Sequence, residues 1–284
     1  MKLDIRFKNS SGEIQLSGGK NPLVRLTEIF GLGLVEKEYR TAVFPGYDGQ
    51  ETVSERALPR TITISAEFCG NNISSNIETA LKVLESSGYL YIETERFSRR
   101  IFCNQIRVSE PERILRGEIS NMAVQLVCDS PFFEDSIETV VPLYERTKNL
   151  ETEFSLPCVF GSVSMGTIVR NTGNRKIEPI IILYCPDSSL NSDTVTLRNV
   201  TTGKTLVLEH NVEKNEIITI DIKNRTVLSN LSGNILYKLS DDSFLGDFCF
   251  EPGKNTVEVA LGDASYGFFV ECRYVNLHCE AVMI

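Results

Sequence analysis

Apolar side chains recur at every second position in much of this chain, and no other feature limits its possible folds as strongly. Residues 3–7, 62–68 and 122–126 all alternate apolar with more polar residues. Successive side chains of a β-strand point to opposite faces of a sheet, so such alternation is typical of strands with one buried face. Pro45-Gly46 and Pro252-Gly253 are turn signals between such segments. The pattern predicts a mainly β protein.

One segment has helical spacing instead. Residues 75–78 read Ser-Asn-Ile-Glu, a capping box in which two side chains satisfy free amides at the start of a helix. Apolar residues follow at helical spacing, namely Ile77, Leu81 and Leu84. Gly88 is a typical helix stop. We predict one helix over about residues 76–87, inserted among the strands.

The chain is long enough for two domains. It has 284 residues, and roughly 150 residues per domain is a common size. The alternation weakens in residues 135–157, where charges and prolines indicate a connection, with an edge strand at 139–141. We place the boundary near residue 140. The prediction is an N-terminal α+β domain of residues 1–140 and a C-terminal β-sandwich of residues 141–284.

Turn signals in the second half indicate antiparallel hairpins. Residues 195–197 and 206–208 flank one polar turn. Residues 217–222 and 226–228 flank another, where Asn224 can adopt the left-handed conformation that a tight turn needs. Short strands at this spacing predict an antiparallel sandwich.

Charge and hydropathy exclude two classes of partner. The net charge is −9 and no segment is polybasic, so a phosphate backbone would repel the chain and no specific nucleic-acid binding is expected. No apolar run approaches the roughly 20 residues that cross a bilayer, so we expect no membrane contact. The first residues alternate and do not form the apolar segment of a secretory signal.

Residues for common catalytic and metal sites are scarce. The chain has two histidines, His210 and His278, and no Gly-x-Ser-x-Gly motif or glycine-rich phosphate loop. Its eight cysteines include no Cys-x-x-Cys pair, and most lie in apolar segments, so we expect reduced, buried thiols. His278 and Cys279 would point to opposite faces of a strand. We predict no catalytic, cofactor-binding or metal-binding residues and hence no enzyme.

Aromatic residues leave saccharide binding open. Flat rings are the usual platform for sugars, and the second half contains several, among them Tyr184, Tyr237, Phe244 and Phe269. The chain has no tryptophan, whose ring is the largest. Two alternatives therefore stand beside a structural role. One is a stand-alone carbohydrate-binding β-sandwich module, and the other is a cell-wall glycan hydrolase with two facing carboxylates.

The order of several turn motifs resembles a known family. The motifs occupy residues 128–133 (Cys-Asp-Ser-Pro-Phe-Phe), 171–182, 197–203, 216–227 and 252–257 (Pro-Gly-Lys-Asn-Thr-Val). Together they resemble the distal tail proteins of siphoviruses. Ser130 departs from the family pattern because it separates the aspartate from the proline. The first 127 residues resemble the family in layout only, as strands with one helix.

The resemblance implies a structural, non-enzymatic protein of the virion tail tip, made in the cytoplasm of a bacterial host. In that family the N-terminal domains form a six-subunit ring. The ring joins the tail tube protein to tail-tip, tail-associated and receptor-binding proteins. The C-terminal domain is a galectin-like jelly-roll sandwich that docks accessory proteins and in some members contacts host saccharide. We therefore expect a homo-oligomer, as a hexameric ring, and no cofactor.

One apolar turn suits a contact between subunits. Residues 42–47 read Ala-Val-Phe-Pro-Gly-Tyr, a loop or hairpin tip. A ring that closes by rotation joins two different surfaces of each subunit, and exposed apolar residues favour such a contact over solvent. We predict that Phe44 and Tyr47 contact a neighbouring subunit. The alternative is that they pack on their own domain.

Overall fold

The structure, a computed structural model, is mainly β. It describes residues 3–18, 24–46, 48–69, 73–109, 112–113, 119–145, 147–148, 161–162, 166–186, 194–261 and 268–281. The described residues form antiparallel sheets and one α-helix. This confirms the predicted fold class, a mainly β chain with a helix inserted among its strands.

The strands and the helix follow one another along the chain from β1 to β25. The first elements are β1 (Asp4–Asn9), β2 (Gly12–Ser17), β3 (Arg25–Phe30), β4 (Lys37–Ala42), β5 (Glu51–Ala57), β6 (Arg60–Cys69), α1 (Ile73–Leu84), β7 (Gly88–Glu93), β8 (Ser98–Cys103), β9 (Gln105–Val108), β10 (Glu112–Arg113), β11 (Ile119–Cys128) and β12 (Phe133–Asp135). The next are β13 (Thr139–Glu145), β14 (Thr147–Lys148), β15 (Gly161–Ser162), β16 (Thr167–Asn171), β17 (Ile180–Cys185), β18 (Val195–Asn199), β19 (Lys204–Leu208), β20 (Glu216–Asp221), β21 (Thr226–Ser229) and β22 (Gly233–Asn234). Two 3₁₀ turns follow, Leu236–Lys238 and Leu245–Asp247, and then β23 (Gly253–Leu261), β24 (Phe269–Tyr274) and β25 (Leu277–His278).

The chain divides into two compact units. Unit 1 contains Met1–Ser136 and Leu277–Ile284, and unit 2 contains Ile137–Asn276. The predicted boundary at residue 140 lies near Ile137, where the chain passes from unit 1 into unit 2. The structure assigns Leu277–Ile284 to unit 1, however, and not to the C-terminal domain. The physical reason is that β25 pairs antiparallel with β12 and that Ala281 is buried in the core of unit 1. A two-residue strand has no period that a sequence pattern can show.

Unit 1 has two antiparallel sheets around one core. The first has the order β2-β1-β7-β8-β12-β25, and the second has the order β10-β11-β6-β3, with β9 also paired to β11. The alternating segments supply the core, since Ile62, Ile64 and Phe68 on β6 are buried together with Ile5 and Phe7 on β1. The alternation therefore identified which face of these strands is buried.

Helix α1 begins earlier than the sequence pattern predicted. It starts at Ile73 rather than near residue 76, so Ser75 lies inside the helix, where its carbonyl accepts a hydrogen bond from the Thr79 hydroxyl. The capping-box prediction is therefore wrong. The buried face carries Ala80, Val83 and Leu84, whereas Leu81 is exposed.

Gly88 has a different role from the predicted helix stop. Helix α1 ends at Leu84, and Gly88 is the first residue of β7, beside β1. A Cβ atom at Gly88 would lie 2.6 Å from the carbonyl oxygen of Lys8 and 2.7 Å from Cζ of Phe7. The position needs glycine because another strand approaches closely, and this explains why the turn signal was misleading.

Unit 2 is a sandwich of two antiparallel sheets. One has the order β13-β24-β17-β20-β21-β22 and the other has the order β16-β23-β18-β19, while β14 pairs only with β15 among the described strands. Core residues come from both sheets, among them Leu183 on β17, Leu197 on β18 and Val257 on β23. Strand β13 lies at the edge of its sheet, which confirms the predicted edge strand near residues 139–141.

Both predicted hairpins of the second half are confirmed, with one difference in a turn. Strands β18 and β19 are joined through Gly203, whose φ is +71°. In the turn between β20 and β21, Arg225 and not Asn224 has the left-handed conformation, with φ of +55°. Asn224 instead donates hydrogen bonds from its backbone and side-chain nitrogens to the carboxylate of Asp221.

Candidate functional site

Strands β4 and β5 form a hairpin that pairs with no other described strand. We call residues 37–57 the arm. Two ion pairs cross it, Lys37 Nζ to Glu55 Oε1 at 2.8 Å and Arg56 Nε to Glu38 Oε2 at 2.5 Å. Exposed pairs of this kind contribute at most about 1 kcal/mol each. The backbone hydrogen bonds between β4 and β5 therefore hold the arm together. Both of its faces are exposed to solvent.

The arm carries apolar side chains that solvent reaches. These are Tyr39, Val43, Phe44 and Val53, of which Val43 is 71% and Phe44 is 52% exposed. The predicted contact residue Phe44 therefore lies at an exposed hairpin tip and does not pack into the core of unit 1. Tyr47, the second predicted contact residue, lies outside the described residues. A cluster of exposed apolar groups on a hairpin is typical of a surface that binds another protein.

A buried arginine fixes the base of the arm. Arg60 begins β6, is 5% exposed, and lies with its guanidinium carbon 4.7 Å from the centre of the Phe133 ring. Its guanidinium donates hydrogen bonds to the backbone carbonyls of Gly31, Gly33, Pro131 and Cys279. The bond to Gly33 is 2.9 Å long and the bond to Pro131 is 2.7 Å long. One side chain therefore joins the segment before the arm to the two segments that lead into and out of unit 2.

A second buried arginine holds the same C-terminal segment. Arg99 on β8 donates a hydrogen bond of 2.5 Å to the carbonyl of Glu280, and the amide of Ala281 donates to the carbonyl of Leu32 at 2.8 Å. His278 Nε2 lies 2.8 Å from Oδ1 of Asp135. The C-terminal segment is therefore held by a backbone hydrogen bond from Ala281 and by side-chain contacts with Arg99 and Asp135.

Arg60 is a functional residue that the sequence did not predict above, although a signal for its burial is present. On β6 the buried residues Ile62, Ile64 and Phe68 all have even numbers, and Arg60 shares that parity. An arginine at a buried position of an alternating strand predicts a buried cation with several hydrogen-bond acceptors, because a buried charge needs partners.

Exposed aromatic residues of unit 2 lie near one open cavity. Phe244 is 64% exposed and lines a cavity of about 530 Å³, with Arg225, Asp241 and Ser243 among its other lining residues. Tyr237, in the neighbouring 3₁₀ turn, is 76% exposed. The cavity combines an aromatic ring with a cation, a carboxylate and a hydroxyl, groups that can hydrogen-bond to a polyol.

The other aromatic residues of unit 2 divide into core and surface. Phe248, Phe250 and Phe268 are fully buried in the core of unit 2, so none can bind a ligand. Tyr184 on β17 pairs with Phe269 on β24 and lies with it on the outer face of the first sheet of unit 2.

Neither histidine contacts a serine in the arrangement that nucleophilic catalysis requires. His210 Nε2 lies 3.0 Å from Oε1 of Glu216, and Ser229 donates a hydrogen bond to that same oxygen. Glu216 thus stands between the imidazole and the hydroxyl, whereas a catalytic histidine would contact the hydroxyl directly. His278 contacts Asp135 in the pairing described above.

Glu216 is a buried carboxylate that hydrogen bonds keep ionised. It is fully buried. Burial acts to raise the pKa of Glu216, but hydrogen bonds from the Ser229 hydroxyl, the Glu213 amide and His210 together lower this pKa below its ordinary value. The cluster fixes the start of β20 and the end of β21.

Two further properties bear on function. Within the described ranges, no group of three or more His, Cys, Asp or Glu side chains is placed to hold a metal ion. No helix in the same part of the chain has both the length and the apolar character to cross a membrane.

Comparison with known proteins identifies the fold. Residues 172–275 match the family model of the siphovirus-type tail component, C-terminal domain. No curated protein sequence matches the chain significantly. The crystal structure of the SPP1 Dit protein (gp 19.1) matches with a TM-score of 0.67 and 12% identity, over 98% of this chain and 99% of that chain. A chain of the phage P2 baseplate in its activated conformation with Ca matches with a TM-score of 0.51 and 13% identity, over 97% of this chain and 98% of that chain.

The family match covers all or nearly all of four of the five turn motifs, and only the motif at residues 128–133 lies outside it. The resemblance to siphovirus distal tail proteins is therefore confirmed. At 12% identity the likeness to SPP1 Dit is a likeness of fold. Residues 172–275 of unit 2 are thus similar to the siphovirus-type tail component, C-terminal domain, and the chain as a whole has the fold of SPP1 Dit.

Proposed function

We propose that the chain is a structural hub of a phage tail tip, in which copies form a ring that joins the tail tube to tail-tip and receptor-binding proteins. The match of the whole fold to SPP1 Dit carries the proposal, because that protein is described as a paradigm of hub adsorption apparatus in phages that infect Gram-positive bacteria. The P2 match is to a baseplate chain, which agrees with the same role. The protein therefore acts by assembly at the virion tail tip and not by catalysis.

Solution mass tests the ring. A hexamer of 31.8 kDa subunits has a mass of about 191 kDa (six times 31.8). Light scattering over a concentration series, with negative-stain images at the highest concentration, should show closed rings with a central hole. A strict monomer that also fails to form rings with the neighbouring tail tube protein would contradict the proposal.

The arm is the surface that we assign to the subunit contact. It is exposed on both faces, carries apolar residues, and its outer edges are paired with no described strand. A head-to-tail contact buries such a surface against a different surface of the next subunit, and repetition closes the ring. Unit 1 thus forms the ring, and unit 2 is left to dock accessory proteins.

A double substitution tests this assignment. We expect Phe44→Ser combined with Tyr47→Ser to abolish ring formation and to leave the monomer folded, because Phe44 contributes nothing to the core of unit 1. Tyr237→Ser in unit 2, which removes an aromatic ring more exposed than that of Phe44, is the control and should leave rings intact. Rings of unchanged stability in the double variant would remove the arm from the interface.

The cavity beside Phe244 supports saccharide contact as a second candidate function of unit 2. Its ring can stack on a sugar face, Arg225 can donate to hydroxyl groups and Asp241 can accept from them. A glycan array probed with the full chain should then show binding that falls at least tenfold in Phe244→Ala and not in Tyr184→Ala. Equal losses in both variants, or no binding by the wild type, would exclude this cavity as a sugar site.

A further inference from the structure

Two cysteines of unit 1 face each other between its sheets. Cys103 ends β8 in the first sheet, and Cys128 ends β11 in the second. Both are fully buried, and their sulfur atoms lie 3.7 Å apart. A disulfide has a sulfur–sulfur distance of about 2.05 Å, so the sulfur atoms would need to move about 1.6 Å closer together.

Hydrogen bonds already hold the backbone next to Cys103 close to the backbone next to Cys128. The amide of Asn104, next to Cys103, donates to the carbonyl of Val127, next to Cys128, at 2.8 Å. The side chain of Asn104 also accepts from the amide of Asp129 at 3.0 Å. These two hydrogen bonds join Asn104 to the residues on either side of Cys128 and keep the two strand ends adjacent, so side-chain rotation can supply the remaining movement with little change of backbone.

The surroundings distinguish the two thiols. The hydrogen bond with Cys103 and, more weakly, the positive charge of Arg60 lower the pKa of Cys128, against the opposing effect of burial. The same pairing, together with burial, raises the pKa of Cys103. The positive charge of Arg60 acts on Cys128 and favours a thiolate there, so Cys128 is the nucleophile in the step described below.

We propose that Cys103 and Cys128 are a redox pair that forms a disulfide between the two sheets of unit 1 when a peroxide oxidises the protein. The Cys128 thiolate attacks one oxygen of hydrogen peroxide, and hydroxide leaves as the oxygen–oxygen bond breaks. This step yields a sulfenic acid on Cys128. Cys103 then attacks the sulfenic sulfur and loses its proton, and water leaves. In sum, two thiols and one hydrogen peroxide give one disulfide and two waters.

The disulfide would matter when the protein leaves a reducing compartment. Thiols persist in a cytosol and disulfides persist outside it. The pair thus allows the chain to fold as a dithiol and to acquire a covalent link between its sheets later. This inference depends on the geometry of unit 1 and stands whether or not the chain forms a ring.

A peptide map and a melting curve test the proposal. The full chain, purified under reducing conditions, is treated with dilute hydrogen peroxide and digested without reductant. We expect one peptide pair linked through Cys103 and Cys128, lighter by two hydrogen atoms than the separate peptides. Because the bond closes the loop from residue 103 to residue 128, the melting temperature should rise by about 5–10 °C and return on reduction.

Variants separate this pair from the other cysteines. Cys103→Ala should lose both the linked peptide and the rise in melting temperature, and dimedone added as the oxidised variant is unfolded should trap its Cys128, which is buried in the folded chain, as a sulfenic acid. Cys272→Ala, which removes a buried cysteine of unit 2, is the matched control and should keep both effects. The wild-type map decides the question even if Cys103→Ala fails to fold. A link from Cys128 to Cys279, or no link at all, would overturn the proposal.

Discussion

At the scale of single residues, the buried polar groups determine where this fold is sensitive to change. Arg60 satisfies four carbonyls from three separate segments of unit 1, and Glu216 satisfies three donors in unit 2. Apolar residues of a β-sandwich can be exchanged for others of similar volume, but replacement of one buried charged residue leaves its several partners without a hydrogen bond. These two positions therefore give the clearest predictions.

Replacement of Arg60 should destabilise unit 1 strongly. In Arg60→Met the stem is kept but four carbonyls lose a donor, and we expect a loss of at least about 3 kcal/mol in the free energy of unfolding. Arg56→Met, at an exposed position of the arm, is the matched control and should change this free energy by less than about 1 kcal/mol. Urea denaturation measures both, and similar losses in the two variants would contradict the structural role of Arg60.

Glu216 should make unit 2 sensitive to acid. Its pKa is lower in the folded than in the unfolded state, so its contribution is present above the unfolded pKa and is lost as pH falls through the folded one. We expect Glu216→Gln to cost about 2 kcal/mol at pH 7 and progressively less as the pH falls below about 4.5. Melting temperatures from pH 7 to pH 3 measure the difference, and a constant difference would refute the assignment.

At the scale of elements, the arm and the core strands differ in what holds them. Core strands alternate because one face is buried, and the sequence pattern therefore located β1, β6 and β11. The pattern placed the start of α1 wrongly because the helix, which packs on β2 and β6, already includes Ile73, before the capping motif at 75–78. The prediction that Gly88 ends the helix was wrong because, in sequence, a glycine required by the close approach of another strand cannot be distinguished from a glycine that ends a helix.

Removal of the arm should cost unit 1 little stability. The amide of Leu58 donates to the carbonyl of Glu36 at 2.9 Å, so the ends of the arm are adjacent and a short Gly-Ser turn can replace residues 37–57. We expect the melting temperature of the reduced monomer to change by no more than about 2 °C, since the arm contributes no residue to the core. A fall of about 10 °C would show that the arm packs on its own subunit, which is the alternative to a subunit contact.

At the scale of the whole molecule, the chain enters unit 2 after Ser136 and returns to unit 1 at Leu277. Sequence patterns indicated two β-rich domains and the siphovirus tail fold because turn motifs recur in a fixed order. The sequence patterns did not predict that the chain returns to unit 1. The returning segment is held there by single groups, such as the carbonyls of Cys279 and Glu280, which accept hydrogen bonds from arginines distant in sequence. The parity of Arg60 on β6 indicates that its side chain is buried, but which carbonyls it contacts depends on three-dimensional position and leaves no local signal.

Deletion of residues 277–284 should therefore damage unit 1 and spare unit 2. The deletion removes buried Ala281 and the acceptors of Arg60 and Arg99. Hydrogen exchange followed by mass spectrometry should show at least tenfold faster exchange in β8, β12 and the segment before β4. Exchange in β17 and β20 should be unchanged and serves as an internal control. Faster exchange confined to unit 2 would contradict the division of the chain.

The adjacent pairing of β12 and β25 also bears on how such genes change. The two crossings into and out of unit 2 lie side by side, since Phe133 pairs with His278 and Glu134 pairs with Leu277. Any domain whose two termini lie close together can in principle be inserted between these strands without altering the unit 1 fold. Residues 137–276 can therefore be exchanged by recombination as a single unit, because both ends of the insertion lie in one strand pair.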